Sequence, residues 1–380
     1  MRNSLTLSLL PVLTAASVCS GGWLEITDVE SRIQQTEFNG TQLLIEYTLA
    51  AAGITESTPA WVFIRYRAGG GDGWRRLREH YLTGRGFGIV SSPGRQQVSC
   101  WGVDQFSAVA ESAFSLEIHA VAMARIPGGE FVMKSTPGGG YDGERIGNVP
   151  GSLPEYWLAR YETTVGQYAD YLNETGGRGA GWVGRMADSL SCGIVREGES
   201  QGYVYRVLPG RQEYPVTFVS WYDAAAFLDW CGMKLPTEAQ WEKAWRGGRF
   251  LDGDEAAAMA NPDPERTYPW GNQPSGDERI FRCNGRGDQD GFERTAPVGS
   301  FSAYGSPYGI LDLAGNVAEW TRDWYTTTYH EGLDGLRMIR GGSWRSLPVG
   351  LDAISGATSL PADESAIMGF RGVVDPRPSR

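Results

Sequence analysis

The 380-residue sequence predicts an all-β sandwich followed by an α+β domain that is poor in regular secondary structure. Three observations carry that expectation. Apolar residues alternate with period two up to about residue 123, segments of helical period appear only beyond residue 125, and 52 Gly with 20 Pro are too many for a helical bundle. At about 100–200 residues per domain the length allows two or three domains. A 41% hydrophobic share that includes 14 Trp supplies their cores and excludes a mostly disordered chain. The boundaries fall at 1–20 for a leader, 21–123 for the sandwich and 124–376 for the α+β domain.

Residues 1–20 read as an export signal. Arg2 supplies the positive start, Leu5 to Ala16 the apolar stretch, and Ala15, Ser17 and Ser20 the small residues near a cleavage point. The stretch is too short to span a bilayer, and no later apolar run is long enough, so no transmembrane segment is expected. The competing reading is a lipoprotein acylated at Cys19, against which stands the bulk of Val18 immediately before it. Both readings place the protein outside the cytoplasm, in the periplasm or beyond the cell.

Within the sandwich, Leu43, Ile45, Tyr47 and Leu49 form one strand face, Val62, Ile64 and Tyr66 a second, and Phe114, Leu116, Ile118 and Ala120 a third. Turn-rich stretches between them suggest an immunoglobulin- or fibronectin-like arrangement. His119 falls on the opposite, polar face of its strand, which predicts a solvated histidine. Gly84, Gly86 and Gly88 lie between strands with no helix after them, so they do not make a phosphate loop.

Past Arg125 three short helices are expected. Thr164 to Thr175 gathers Val165, Tyr168 and Leu172 on one face, and Ser220 to Gly232 gathers Trp221, Ala224, Ala225 and Leu228. Thr237 to Gly247 opens with Thr237 and Gln240 in capping-box spacing and closes at a glycine.

Charge and metal-ligand supply narrow the chemistry. The formal charge is −11, and an acidic surface repels phosphate backbones, which speaks against nucleic acid. The three histidines, His80, His119 and His330, are far apart and poorly placed for an iron or zinc centre. With Cys19 in the leader, Cys100, Cys192, Cys231 and Cys283 remain. They allow two disulfides in three pairings, or serve as small buried apolar groups.

A series of ordered motifs in the second domain resembles the formylglycine-generating enzyme family, also called sulfatase-modifying factors. They are Ile126-Pro-Gly-Gly-Glu-Phe-Val-Met133, Tyr161-Glu-Thr-Thr-Val-Gly-Gln-Tyr168, Tyr214-Pro-Val-Thr-Phe-Val-Ser-Trp221 and Lys234-Leu-Pro-Thr-Glu-Ala-Gln-Trp-Glu242. Tyr268-Pro-Trp-Gly-Asn272, Ala296-Pro-Val-Gly-Ser300, Tyr308-Gly-Ile-Leu-Asp-Leu-Ala-Gly-Asn-Val-Ala-Glu-Trp-Thr321, Arg340-Gly-Gly-Ser-Trp344 and Gly369-Phe-Arg371 continue the match. The resemblance implies a C-type-lectin-like fold with structural calcium. Calcium takes about six to eight oxygen ligands, so each loop must combine side chains with backbone carbonyls. By similarity, one site uses Asp312 and Glu319 with the carbonyls of Gly315 and Val317. The other uses Asn284 and Asp290 with the carbonyls of Gly285 and Phe292. An EF-hand beginning at Asp288 fails, because its twelfth position is Gly299.

The family's oxidases bind copper through two cysteines shortly after the Gly-Gly-Ser motif, since soft sulfur selects Cu(I). Here Ser346 and Leu351 hold those positions, so the resemblance implies no catalytic residues there and speaks against copper. Residues 346–368 also contain no Arg and offer Asp352, Ser355, Thr358, Ser359, Asp363 and Glu364 instead, predicting a neutral to acidic floor. Trp344, Arg345, Ser346 and Asp352 are the ligand-binding candidates. The leading reading is an exported, calcium-stabilised, non-catalytic binding module for a protein, glycan or cell-envelope ligand. The alternatives are an oxidase of the same superfamily with a rewired site and a purely structural two-domain component. Relatives that hold iron with three histidines from a helical bundle are excluded, because the first domain is β-rich and its His80 and His119 are not paired.

Overall fold

A computed structural model describes residues 22–36, 40–50, 53–68, 75–78, 81–101, 114–133, 149–175, 181–199, 202–276, 281–325 and 335–376. The segment read as an export signal, with Cys19, and the histidines His80 and His330 lie outside the described residues. The chain parts into two compact units between Met123 and Ala124.

The first unit carries β1 (Ile26–Thr36), β2 (Gly40–Leu49), β3 (Ala60–Ala68), β4 (Arg75–Arg76), β5 (Leu82–Gly84), β6 (Gly88–Val90) and β7 (Gly94–Cys100). Then follows β8 (Phe114–Ile126), whose last residues lie past the boundary. One antiparallel sheet runs β1–β2–β7–β5, while β3 pairs with β8, β4 and β6. The predicted faces meet: Leu43, Ile45, Tyr47 and Leu49 pack with Val62, Ile64, Leu116 and Ile118 in one core. His119 is a correction. It is buried rather than solvated, stacked on Phe63 at 5.0 Å and set 4.9 Å from Trp23. Alternation assigns residues to faces but does not say which face water reaches, and Trp23, bridged to Val121, covers this one.

In the second unit β9 (Gly129–Met133) pairs with β10 (Val149–Leu153), and β11 (Tyr156–Ala159) leads to α1 (Val165–Glu174). Next come the antiparallel pair β12 (Ile194–Glu197) and β13 (Val204–Val207), then α2 (Trp221–Cys231) and α3 (Glu238–Arg246). After a long stretch of turns come β14 (Ala318–Trp324), β15 (Arg337–Arg340), β16 (Gly356–Ser359), β17 (Met368–Gly369) and β18 (Val373–Val374). The sheet order is β16–β15–β14–β17, with β17 parallel to β14, and β18 returns to pair with β11. Strand pairs, few helices and much irregular chain make this an α+β unit.

All three helices start where the sequence places them. Thr164 with Gln167, Ser220 with Asp223 and Thr237 with Gln240 each form a reciprocal capping box. Gly232 ends α2 in the left-handed conformation that a side chain would resist. On α1 the predicted face is buried. On α2 the buried residues are Ala224, Phe227, Leu228, Trp230 and Cys231, and Trp221 and Ala225 are only half-buried. From α3, Trp241 and Trp245 enter the main core with Tyr156, Ile310, Leu313 and Leu351. Each buried indole removes roughly 150–250 Å² from water, worth about 4–6 kcal/mol at about 25 cal/mol per Å².

Three loops of this unit meet and create the candidate site. Gly315 N–H donates to Gly341 O at 3.0 Å, Asn316 N–H to Asn284 O at 2.9 Å, and Trp344 N–H to Asn316 O at 2.9 Å.

Candidate functional site

A buried polar network lies at the centre of these loops. The guanidinium of Arg371 grips Glu319 on β14, with Nε at 2.9 and 2.8 Å from the two oxygens and Nη2 at 2.7 Å from Oε1. Trp241 Nε1 donates to Glu319 Oε2 at 3.0 Å. The remaining Arg371 hydrogens reach the carbonyls of Ala159, Arg160 and Leu311. Glu162 accepts from Asn316 Nδ2 at 2.6 Å and from the Val317 amide at 3.1 Å. Asp312 accepts from the Gly299 amide at 2.5 Å. Three carboxyls thus share one guanidinium. Burial, then the neighbouring Asp312 and Glu319, pushes the Glu162 carboxyl well above the usual range. Burial pushes Asp312 up to about 6.

Beside this network sits the loop with the four residues Asn284, Gly285, Asp290 and Phe292. Asp290 accepts from the Gly285 amide at 3.1 Å and the Phe292 amide at 3.0 Å, closing the loop on itself. Burial raises its carboxyl above the ordinary value. Asn284 Nδ2 donates to Arg294 O at 2.7 Å and to Asn316 Oδ1 at 3.0 Å, which settles the orientation of the amide. Its Oδ1 is then buried with no donor facing it. A buried acceptor without a donor costs about 1–3 kcal/mol unless something positive meets it. The donor set is hard oxygen, the kind that suits calcium. These residues fit a cation.

The second set does not fit one as it stands. Both oxygens of Glu319 are committed to Arg371 and Trp241, although Asp312 and the carbonyls of Gly315 and Val317 lie in the same loop. The two sets are in contact, for a Cβ on Gly315 would stand 2.2 Å from Asn284 O. Asp312 and Asn316 bracket that glycine with φ of 58° and 57°, a left-handed conformation unfavourable for side-chain-bearing residues.

Ser346 and Leu351 converge. A Cβ on Gly342 would lie 3.1 Å from Ser346 Oγ and 3.0 Å from Leu351 Cδ2. Ser346 Oγ accepts from the Ser343 amide at 3.0 Å, while Leu351 is 1% exposed and part of the core. Trp344 is half-buried and donates through Nε1 to Ala366 O at 3.1 Å. Arg345 is exposed. Asp352 accepts from the Ile354 and Ser355 amides at 3.0 and 2.6 Å, so its carboxylate closes a turn. Between them the turn at Pro348–Gly350 holds Leu347 and Val349 out, at 52% and 76% exposure. A guanidinium reaches this surface already paired with an acid. Arg294, from a distant loop, lies over the Trp344 ring at 5.9 Å and pairs with Asp188 at 2.5 Å. Absence of Arg from 346–368 said nothing about guanidinium groups supplied from elsewhere.

Residues 110–376 match the family described as the sulfatase-modifying factor enzyme 1-like domain. The chain belongs to the sulfatase-modifying factor family. The formylglycine-generating enzyme of Thermomonospora curvata is 32% identical over 56% of this chain and 74% of its own length. The inactive C-alpha-formylglycine-generating enzyme 2 of Mus musculus is 30% identical over 65% of this chain and 80% of its own. Among solved structures, PvdO from Pseudomonas aeruginosa is 24% identical, covering 67% of this chain and 94% of that one with a TM-score of 0.47.

Within this sulfatase-modifying factor domain Cys192, Cys231 and Cys283 are buried, as is Cys100 in the first unit. Burial pushes the Cys192 thiol up to about 11 and Cys283 up to about 12, which keeps both protonated. Glu162 and Asn316 lie inside family motifs, and their roles in the network come from partners far along the chain. An acid in Tyr161-Glu-Thr-Thr, followed at once by a helix start, was the available signal for Glu162. No helix among the described residues is long and apolar enough to cross a membrane.

Proposed function

We propose that this is an exported recognition protein, whose sulfatase-modifying factor domain binds a protein, glycan or cell-envelope ligand around Trp344 and Arg345 without oxidising it. Calcium held by Asn284, Gly285, Asp290 and Phe292 stiffens the domain, and the first unit is a β-sandwich that precedes it. One observation carries the reading: Ser346 and Leu351 stand together at Gly342. A hydroxyl and an isobutyl group offer Cu(I) nothing, where two thiolates would hold it. The existence of a mouse relative named inactive supports the same conclusion.

Copper binding and peptide oxidation test it. The purified protein should take up no stoichiometric Cu(I) against a chromophoric chelator, and should leave a sulfatase-motif cysteine peptide unoxidised. The double variant Ser346→Cys/Leu351→Cys should gain Cu(I) binding, since both side chains approach the same point beside Gly342. Tight copper and peptide turnover by the unaltered protein would overturn the reading.

A further inference from the structure

We propose that a divalent cation at Asn284 and Asp290 governs the order of the 344–351 loop, with Leu351 as the wedge that transmits it. The inference rests on the reading of that loop as the ligand surface, and concerns how the surface is presented.

The cation end is marked by an acceptor that nothing in the protein satisfies. Asn284 is 1% exposed, its Nδ2 is bound to two acceptors, and its Oδ1 is left buried with no donor. Asp290 lies in the same loop and holds the Gly285 and Phe292 amides in place.

The loop end is held by few bonds. Within 343–351, the bonds Ser346 N–H to Ser343 O, Gly350 N–H to Leu347 O and Leu351 N–H to Pro348 O are all local and shape a turn without anchoring it. Two ties run elsewhere, Ser355 Oγ–H to Val349 O at 2.9 Å and Trp344 Nε1–H to Ala366 O at 3.1 Å, and the loop's other backbone ties lead back to the cation end. Arg286 N–H donates to Ser346 O at 3.1 Å, one residue past Gly285. Trp344 N–H donates to Asn316 O, and Asn316 N–H donates to Asn284 O. Leu351 closes the circuit, since its Cδ1 lies 3.2 Å from where a Cβ on Gly285 would be. Gly285 therefore has a cation-facing carbonyl by family similarity on one side and the Leu351 Cδ1 methyl beside it on the other. A cation that draws Asn284 Oδ1, Asp290 and the Gly285 carbonyl together sets the backbone against which Leu351 and Ser346 rest. Without it, like-signed oxygens repel, the 284–286 segment relaxes, and the exposed Leu347 and Val349 lose their fixed base.

Amide hydrogen exchange on the full chain, with Ca²⁺ alone or with EDTA and no ligand added, reads this directly. Adding Ca²⁺ should slow exchange at least tenfold in segments 283–287 and 343–351, and leave Trp221–Cys231 of α2 unchanged. Asp290→Asn should abolish the response in both segments. Leu351→Ala should keep Ca²⁺ binding and the response of 283–287, while that of 343–351 falls severalfold. Three results would overturn the proposal: no Ca²⁺ binding by calorimetry, binding with no change in 343–351, or uniform slowing of all segments. Since no ligand is present, these outcomes are independent of whether the surface recognises anything, which is judged by binding alone.

Discussion

Arg371 and Glu319 are both fully buried, and their bidentate contact neutralises only one of the three carboxyls around it. Replacing Arg371 by Met would strand Glu319 beside Asp312 and Glu162. Breaking a buried pair from one side costs about 3–5 kcal/mol. Urea unfolding of Arg371→Met should show a loss of that size, and a loss under about 1 kcal/mol would mean the pair is not structural. None of this network was legible residue by residue. Glu162 meets an asparagine 154 positions further along the chain, and Arg294 meets Asp188 106 positions earlier. Local spacing has no access to such partners. The motif glycines and the Ser346 and Leu351 positions were legible, because each lies within a short ordered run of residue types.

At the level of elements, helix starts were the most readable feature. A hydroxyl three residues before an amide or acid satisfies otherwise unpaired amides, and that chemistry is complete within four residues. Thr237→Ala on α3 and Ser220→Ala on α2 should each cost about 1 kcal/mol by denaturant midpoint, and the matching Ser or Thr exchange much less. The strand faces were readable too, but not their covering, as His119 showed. α3 also holds Lys243, a buried amine that donates to Pro127 O at 2.8 Å and Gly129 O at 2.9 Å. Burial pulls its pKa down to about 8. A folded pKa below the unfolded value means the unfolded chain binds the extra proton between about pH 8 and 10.5, so this group adds stability as pH rises through that window. Buried Cys and Tyr groups act in the opposite sense, so the test is a difference. The stability of the protein relative to Lys243→Met should increase from pH 8 to 10.5, and a flat difference would refute the assignment.

For the molecule as a whole, the proposed calcium ion is the most accessible term to test. A cation bound only to the folded chain stabilises it by mass action, reaching about 2.7 kcal/mol at a hundredfold excess over Kd. EDTA should therefore lower the melting temperature, Ca²⁺ should restore it, and Asp290→Asn should remove the difference. An unchanged melt on chelation would withdraw the Asn284 assignment. The apolar pattern changes its period near Arg125, and the chain parts into two compact units between Met123 and Ala124. How the second unit folds its long turn-rich stretch was not legible, since those residues are placed by contacts with distant loops rather than by their own propensities.

The distribution of sulfur has a practical outcome. Cys100 belongs to the first unit and Cys192, Cys231 and Cys283 to the second, and every one is shielded. A thiol-reactive label can reach them only when the surrounding structure opens. Digesting the chain after brief labelling and weighing the fragments would then time the opening of each half separately, with no probe introduced by mutation.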